Sequence, residues 1–135
     1  MSHFTSIKTQ IKDKDALIKA LADMGFKNLE VHDTAESLYG FQGDVRPETA
    51  EVIIRRKYIG SSSNDIGFKL QDDGQFQAII SEFDRGRYNR QWLNQVMQRY
   101  GYYTLMASAE EQGFTIEEDE VMEDGTVRVV VGSWV

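Results

Sequence analysis

The spacing of apolar residues changes several times along the chain, and each change marks an element. Residues 4–11 (FTSIKTQI) alternate roughly and are rich in Ile, Thr and Phe, which predicts a strand. Ala16, Leu17, Ala20, Leu21 and Met24 then recur at the three- and four-residue spacing of one helix face. Asp13 stands where a side chain caps the first amide groups, and Gly25 stands where a left-handed residue ends the last turn. The pattern therefore predicts a helix over residues 14–24. Strand-like runs follow at 29–33 and 37–41, then the turn-rich GDVRPE at 43–48. AEVIIRRKYI (50–59) reads as a strong strand, and GSSSND (60–65) reads as a polar loop.

IGFKL (66–70) and QFQAIISEF (75–83) flank Asp73-Gly74, the dipeptide favoured by two-residue hairpin turns. Such a turn would pair Leu70 with Gln77 and Phe68 with Ile79. Ile66, Phe68, Leu70, Ile79 and Phe83 would then share one face, with Phe76, Ala78 and Ile80 on the other. Val52, Ile53 and Ile54 are likewise apolar on both faces. Two helices cover one face of such a sheet. The second face requires either another layer, from a homodimer partner or a different protein, or loops curled over it.

Helical spacing returns at Leu93, Val96, Met97, Tyr100, Thr104 and Ala107, with Asn89 as N-cap and Gly113 as the stop. A last strand pair, 115–122 and 126–134, flanks Asp124-Gly125. The chain thus reads as one domain, residues 1–135, of α+β class: a mostly antiparallel sheet with two helices on one face. The arrangement expected is ferredoxin-like or an enlarged split β-α-β. Both helices end in Gly-Phe and run into a strand, so an internal duplication is one reading; common helix-end chemistry is the other.

Composition narrows the function classes. There is no cysteine, which removes disulfides, thiol catalysis and thiolate metal sites. No apolar run reaches the roughly 18 residues of a membrane span, and the opening MSHFTSIKTQ has no signal-peptide core. A net charge of −7 disfavours non-specific binding to nucleic acid. The only histidines, His3 and His32, have no ligand spacing. The acidic run 117–120, with Glu123 and Asp124, lacks the alternation of a calcium loop and suits a solvated or edge strand. Serines 61–63 have neither a nucleophile elbow nor a base, and the glycines of 60–67 are not followed by the Lys-Ser/Thr of a phosphate loop. No catalytic residue, metal ligand or cofactor is indicated, and the reading leans away from an enzyme.

The basic residues are more selective. RGRYNRQWLNQVMQRYGYYTLMASA (85–109) holds four arginines and no acid, leaving −11 on the rest of the chain. Arg55, Arg56 and Lys57 form a triplet at a strand end. Arg85, Arg87 and Arg90 lead into the second helix, where Trp92, Arg99, Tyr102 and Tyr103 fall beside or opposite the apolar stripe. Arginine mixed with aromatics has three readings: core-edging tyrosines with paired arginines, a protein interface, or a surface that stacks bases and pairs phosphates. The acidic remainder favours a protein partner over RNA or the ribosome. An enzyme or small-molecule binder would need a pocket of converging polar groups.

The segments MSHFTSIKTQIKD, YGFQGDVRPETAEVIIRRKYIGSSSNDIGF and ISEFDRGRYNRQWLNQVMQRYGYY resemble the hypothetical chloroplast reading frame thirty-five family, a domain of unknown function of cyanobacteria and algal plastids. The resemblance runs from the start through Tyr103 and is weaker after Glu110. It implies a cyanobacterial cytoplasm or plastid stroma. It also implies an accessory or adaptor role, since other bacterial members are encoded near AAA-class ATPases. It carries no catalytic residues.

Overall fold

The structure, a computed structural model, describes residues 3–121 and 127–133, with side chains described over 3–113. The elements are β1 (Phe4–Lys8), α1 (Lys14–Asp23), β2 (Glu30–Tyr39), β3 (Val45–Ile54), β4 (Ile66–Leu70), β5 (Phe76–Ser81), α2 (Arg90–Glu111), β6 (Phe114–Val121) and β7 (Val127–Ser133). Two 3₁₀ turns, Arg56–Tyr58 and Asp84–Gly86, follow β3 and β5. The class is α+β. Five strands form one sheet in the order β1-β5-β4-β3-β2, and β6 pairs with β7 in a second sheet.

Every pairing in the larger sheet is antiparallel, so β1 and β2 run parallel at opposite edges with three strands between them. The unit β1-α1-β2 is therefore an enlarged split β-α-β, without ferredoxin-like interleaving. Asp13 caps α1 by accepting from the N–H groups of Asp15 and Ala16 at 3.0 and 3.2 Å. Asn89 caps α2 by accepting from the Trp92 N–H at 3.0 Å. Gly25 and Gly113 end the helices at φ 101° and 78°, where other residues are strained. The likeness between the two halves stops there, because β6 and β7 do not join the larger sheet. The Asp124-Gly125 turn lies outside the described residues.

The β4-β5 register differs by one residue from the two-residue-turn expectation. Phe68 faces Ala78, Lys69 faces Gln77, and Leu70 faces Phe76. The turn holds three residues: the Gly74 N–H donates to the Gln71 carbonyl at 3.0 Å, and the Gln71 N–H donates to the Gln75 carbonyl at 2.9 Å. Gly74 takes φ 82°, which makes a type I turn followed by a left-handed bulge residue. A one-residue slip exchanges the faces of a whole strand. Phe76, Ala78 and Ile80 therefore join Ile66 and Phe68 on the helix-covered face, where Leu17, Leu21, Leu93 and Val96 pack on them. Ile79 goes to the back.

The back face is closed by the chain itself. Four residues of β2 (32–35) stand against Glu51 alone, and three of β3 (46–48), including Pro47, stand against Leu38. These bulges join the two runs expected at 29–33 and 37–41 into one bent strand, and they extend β3 back through the expected GDVRPE turn. The outer half of the β2-β3 hairpin thereby folds across the back of the sheet. Leu38, Ala50, Ile53 and Ile79 form a second core there, with Phe4 packed against it. The Arg46 guanidinium reaches to 5.3 Å from the Phe4 ring centroid on β1. Neither a second copy nor surface loops are needed to cover this face.

Gly67 marks the closest approach. A Cβ built there would lie 2.6 Å from the Ala50 Cβ and 3.0 Å from a Leu38 methyl. We expect Gly67→Ala to lower stability by about 1–3 kcal/mol through overpacking, read as a fall in the urea midpoint. An unchanged midpoint would contradict the folded-back hairpin.

Candidate interaction surface

The surface is built on two adjacent residues, Asn64 and Asp65, which the sequence presents only as the end of a polar loop. Asp65 is fully buried. Its Oδ1 accepts from the Arg56 N–H at 2.7 Å; its Oδ2 accepts from the Tyr39 N–H at 2.7 Å and from Arg55 Nη1 at 2.8 Å. The Asp65 N–H donates to the Tyr39 carbonyl at 3.0 Å. The carboxylate therefore holds the hairpin end to the start of β4 and turns the chain out of β3. This is why AEVIIRRKYI is strand only to Ile54, with Arg56 and Lys57 in a 3₁₀ turn.

Arg55 completes this centre. It donates from Nε and Nη2 to the two oxygens of Glu30, both at 2.7 Å, and from Nη1 to the Ser37 carbonyl at 3.0 Å. Its guanidinium carbon lies 4.9 Å from the Tyr39 ring centroid. The hydrogen bonds from Arg55 hold the Glu30 carboxyl down at about 2; desolvation opposes this, and His32, 3.0 Å away, assists. The hydrogen bond to Glu30, followed by contacts with Asp65, raises the Arg55 pKa against desolvation. The fork is thus spent inside the fold.

Asn64 ties in the second 3₁₀ turn. Its side-chain carbonyl accepts from the Phe41 N–H at 2.9 Å, and its amide donates to Ser81 Oγ at 2.9 Å and Asp84 Oδ2 at 3.1 Å. The backbone N–H of Asn64 and the Ser81 hydroxyl also donate to Asp84 Oδ2, at 3.0 and 2.9 Å. Arg56 binds the loop by donating to the carbonyls of Ser63, Ser61 and Phe41 at 3.0, 2.7 and 2.5 Å. The hairpin tip and both 3₁₀ turns are therefore one hydrogen-bonded end of the molecule.

What this end presents outward is aromatic and basic. Tyr39, Phe41, Tyr58 and Phe83 are exposed by 37, 38, 45 and 60%, and Val45 by 65%. Lys57, Arg85, Arg87 and Arg90 are exposed, and none has a carboxylate within 4.0 Å among the described residues. Lys57 Nζ lies 5.0 Å from the Tyr58 ring centroid, and the Arg87 guanidinium lies 5.6 Å from that of Tyr88. An open cleft of about 450 Å³ lies between the hairpin end and the first 3₁₀ turn, lined by Glu30, Tyr39, Gly43, Arg55, Arg56, Lys57 and Asp65.

The helical candidates go elsewhere. Trp92 faces inward, only 9% exposed, in edge-to-face contact with Tyr88 at 5.1 Å and Phe26 at 6.1 Å. The buried side of α2 begins at Trp92, Leu93 and Val96, wider than the stripe the spacing defined, because Phe26 from the α1-β2 connection packs there. Arg99 pairs with Asp23 of α1, and the Tyr103 hydroxyl donates to the same Asp23 oxygen at 2.7 Å. Desolvation raises the Asp23 pKa, but hydrogen bonds from Arg99 and Tyr103 outweigh it and bring the carboxyl below its ordinary value. The Tyr102 ring lies 5.0 Å from the Arg99 guanidinium. Arg99, Tyr102 and Tyr103 thus sit on the α1-α2 seam. Tyr100, read as part of the apolar stripe, also accepts from the N–H groups of Lys12 and Asp13 at 2.9 and 3.0 Å, fixing the turn before α1.

Among the described residues no group of three or more His, Asp and Glu is placed to hold a metal ion. The side chains of the acidic run 117–120, and Glu123 and Asp124 altogether, lie outside the described residues. No helix among the described residues is long and apolar enough to cross a membrane.

Removing the Asp65 carboxylate takes the acceptor from the Tyr39 and Arg56 N–H groups and one of two carboxylates from the partly buried Arg55. Asp65→Ala should cost about 3–5 kcal/mol by urea denaturation, while Lys57→Ala should stay within about 0.5 kcal/mol. Equal effects would remove Asp65 from its central role. Glu30 gives a pH signature. Its folded pKa of about 2 lies below the ordinary 4.5, so its stabilisation is full above about 4.5 and is lost as pH falls toward 2. The gap in urea midpoint between the unaltered chain and Glu30→Gln should shrink over that window; a constant gap would refute the pairing.

The family model described as "Protein of unknown function (DUF1257)" matches residues 20–130. The chain is similar over 99% of its length to proteins described as "Uncharacterized protein ycf35". The one from Guillardia theta is 30% identical over 137 residues, and the one from Cyanophora paradoxa is 28% identical over 136; each match covers 98% of the relative. A third, from Pyropia yezoensis, is 26% identical over 137 residues, with the same coverage. No solved structure matches the chain.

Proposed function

Because the chain belongs to the family of proteins of unknown function DUF1257, we propose its role from its own surface: a non-enzymatic module that binds a partner protein. The contact is the end built by the hairpin tip and the two 3₁₀ turns. The carrying observation is that four exposed aromatics and unpaired cations share a frame fixed by buried hydrogen bonds. Tyrosine and arginine are enriched where protein contacts are strongest, and a rigid frame lowers the entropy cost of binding. Binding rather than catalysis is favoured because Glu30, Asp65 and Asp84, the carboxylates beside the cleft and the 3₁₀ turns, are committed to internal hydrogen bonds. An AAA-class ATPase, the neighbour that the resemblance implies, is one candidate partner. A plastid stroma or cyanobacterial cytoplasm is the setting the resemblance supports.

The test compares capture from native cells by the tagged chain and by a Lys57→Glu, Arg85→Glu, Arg87→Glu variant. Arg99 is left unchanged because its loss would disturb the α1-α2 seam. The expected result is a defined protein retained by the unaltered chain and lost by a variant with the same thermal midpoint. Equal retention would overturn the reading. Nuclease-sensitive RNA as the retained species would establish instead the alternative of an RNA- or ribosome-associated protein.

A further inference from the structure

We propose, resting on that surface, that the segment it binds is an acidic stretch of a partner protein carrying an aromatic or aliphatic anchor. The anchor lodges in the cleft beside Tyr39, with Tyr58 next to the Lys57 wall, and its flanking carboxylates meet Lys57, Arg85 and Arg87.

The charges select the sign of the ligand. The chain carries −7, yet Lys57, Arg85 and Arg87 are exposed without a carboxylate partner among the described residues. An acidic segment is attracted locally by this end and repelled by the rest of the surface, which fixes where it lands. The cleft's own carboxylates narrow the position further. Glu30 is held by Arg55 on one wall, so the incoming carboxylates lie toward Lys57.

Inside the cleft the donors favour a carboxylate over a phosphate; the open forks of Arg85 and Arg87 lie outside its lining. Phosphate recognition is served best by an open arginine fork. Arg55 has spent its fork on Glu30 and Asp65, and Arg56 donates to three loop carbonyls. Of the three cleft cations, Lys57 is the one not engaged in a hydrogen bond among the described residues, and it is a point charge suited to a single carboxylate. A long polyanion would also run beyond the basic end onto acidic surface, whereas a short peptide ends within it.

The rings select the anchor. Tyr39 lies under Arg55 and Tyr58 under Lys57, so these two rings have a cation against one face before a ligand arrives, and Arg56 fixes the Phe41 backbone. Braced, partly exposed rings offer apolar contact at little ordering cost. Gly43 on the rim has no side chain to obstruct the approach.

The test is fluorescence anisotropy with the full chain and a panel of labelled acidic peptides. Each has a core of Asp and Glu around a single Phe, Leu or Trp. Controls replace the acids by Asn and Gln, or the anchor by Ala; labelled oligouridine is the phosphate probe. We expect saturable binding of at least one acidic peptide that weakens with salt. It should fall about tenfold or more when the acids are neutralised, when the anchor is removed, and in Lys57→Glu or Tyr58→Ala. Equal binding of the neutral peptide, indifference to Lys57→Glu, or tighter binding of oligouridine would overturn the proposal. If the triple variant loses its captured protein but no acidic peptide binds, this proposal fails while the protein-binding surface stands. If the variant keeps its partner, both fail.

Discussion

The buried Asp65 carboxylate is the contact on which the shape of the molecule depends. A carboxylate taken out of water costs several kcal/mol unless donors replace the lost hydration. Asp65 is given three donors from two places in the chain: the Tyr39 N–H at the end of β2, and the Arg56 N–H and Arg55 guanidinium just after β3. The Tyr39 donor is supplied only when the outer half of the β2-β3 hairpin has folded back to the start of β4. The folding-back of the hairpin completes the donor set of the buried charge, and the charge in turn anchors the hairpin end. That coupling explains why a strand edge that could have stayed open is closed over its own sheet.

The same coupling links packing to surface. Gly67 allows Leu38 and Ala50 to rest directly on β4, and the next residue after Leu38, Tyr39, bonds Asp65. Arg55 then adds Glu30 from the far end of β2, while Asn64 adds the second 3₁₀ turn through Asp84. Residues distant in sequence (30, 39, 55, 65 and 84) become one assembly of hydrogen bonds. The exposed side chains stand on that assembly rather than on mobile loops.

The parts of this that were legible in the sequence are those governed by local chemistry. The caps at Asp13 and Asn89 and the stops at Gly25 and Gly113 require only the side chain and its neighbours a turn away. The α+β class follows from the periodicities. The Asp73-Gly74 turn shows the limit: the dipeptide marks a hairpin, but whether the turn holds two or three residues depends on which side chains the core accepts. That single residue exchanges Ile79 with Ala78 between faces. The arginine triplet shows a different limit. Composition cannot distinguish Arg55, whose fork is consumed by Glu30 and Asp65, from Lys57, which is exposed two residues later. Periodicity places Trp92 beside or opposite the stripe because its inward partner, Phe26, comes from a connection that periodicity does not describe.

These misreadings share a physical basis, and it bears on function. A cation can be taken up inside the fold, as Arg55 and Arg99 are by carboxylates, so the number of arginines in a segment measures little. What matters is which cations are left over after the fold has taken its share. Arg55 and Arg99 are used to join elements, and Arg56 to hold a loop. Of the basic residues in the triplet and the 85–109 segment, the remainder, Lys57, Arg85, Arg87 and Arg90, lies at or next to the end where the aromatics are also exposed. A surface of this kind can be altered without disturbing the frame beneath it, since its charged side chains make no ion pair within the described residues and its backbone is fixed by Asn64 and Asp65. Frame and surface are therefore separable by mutation, and that separability lets binding be tested residue by residue.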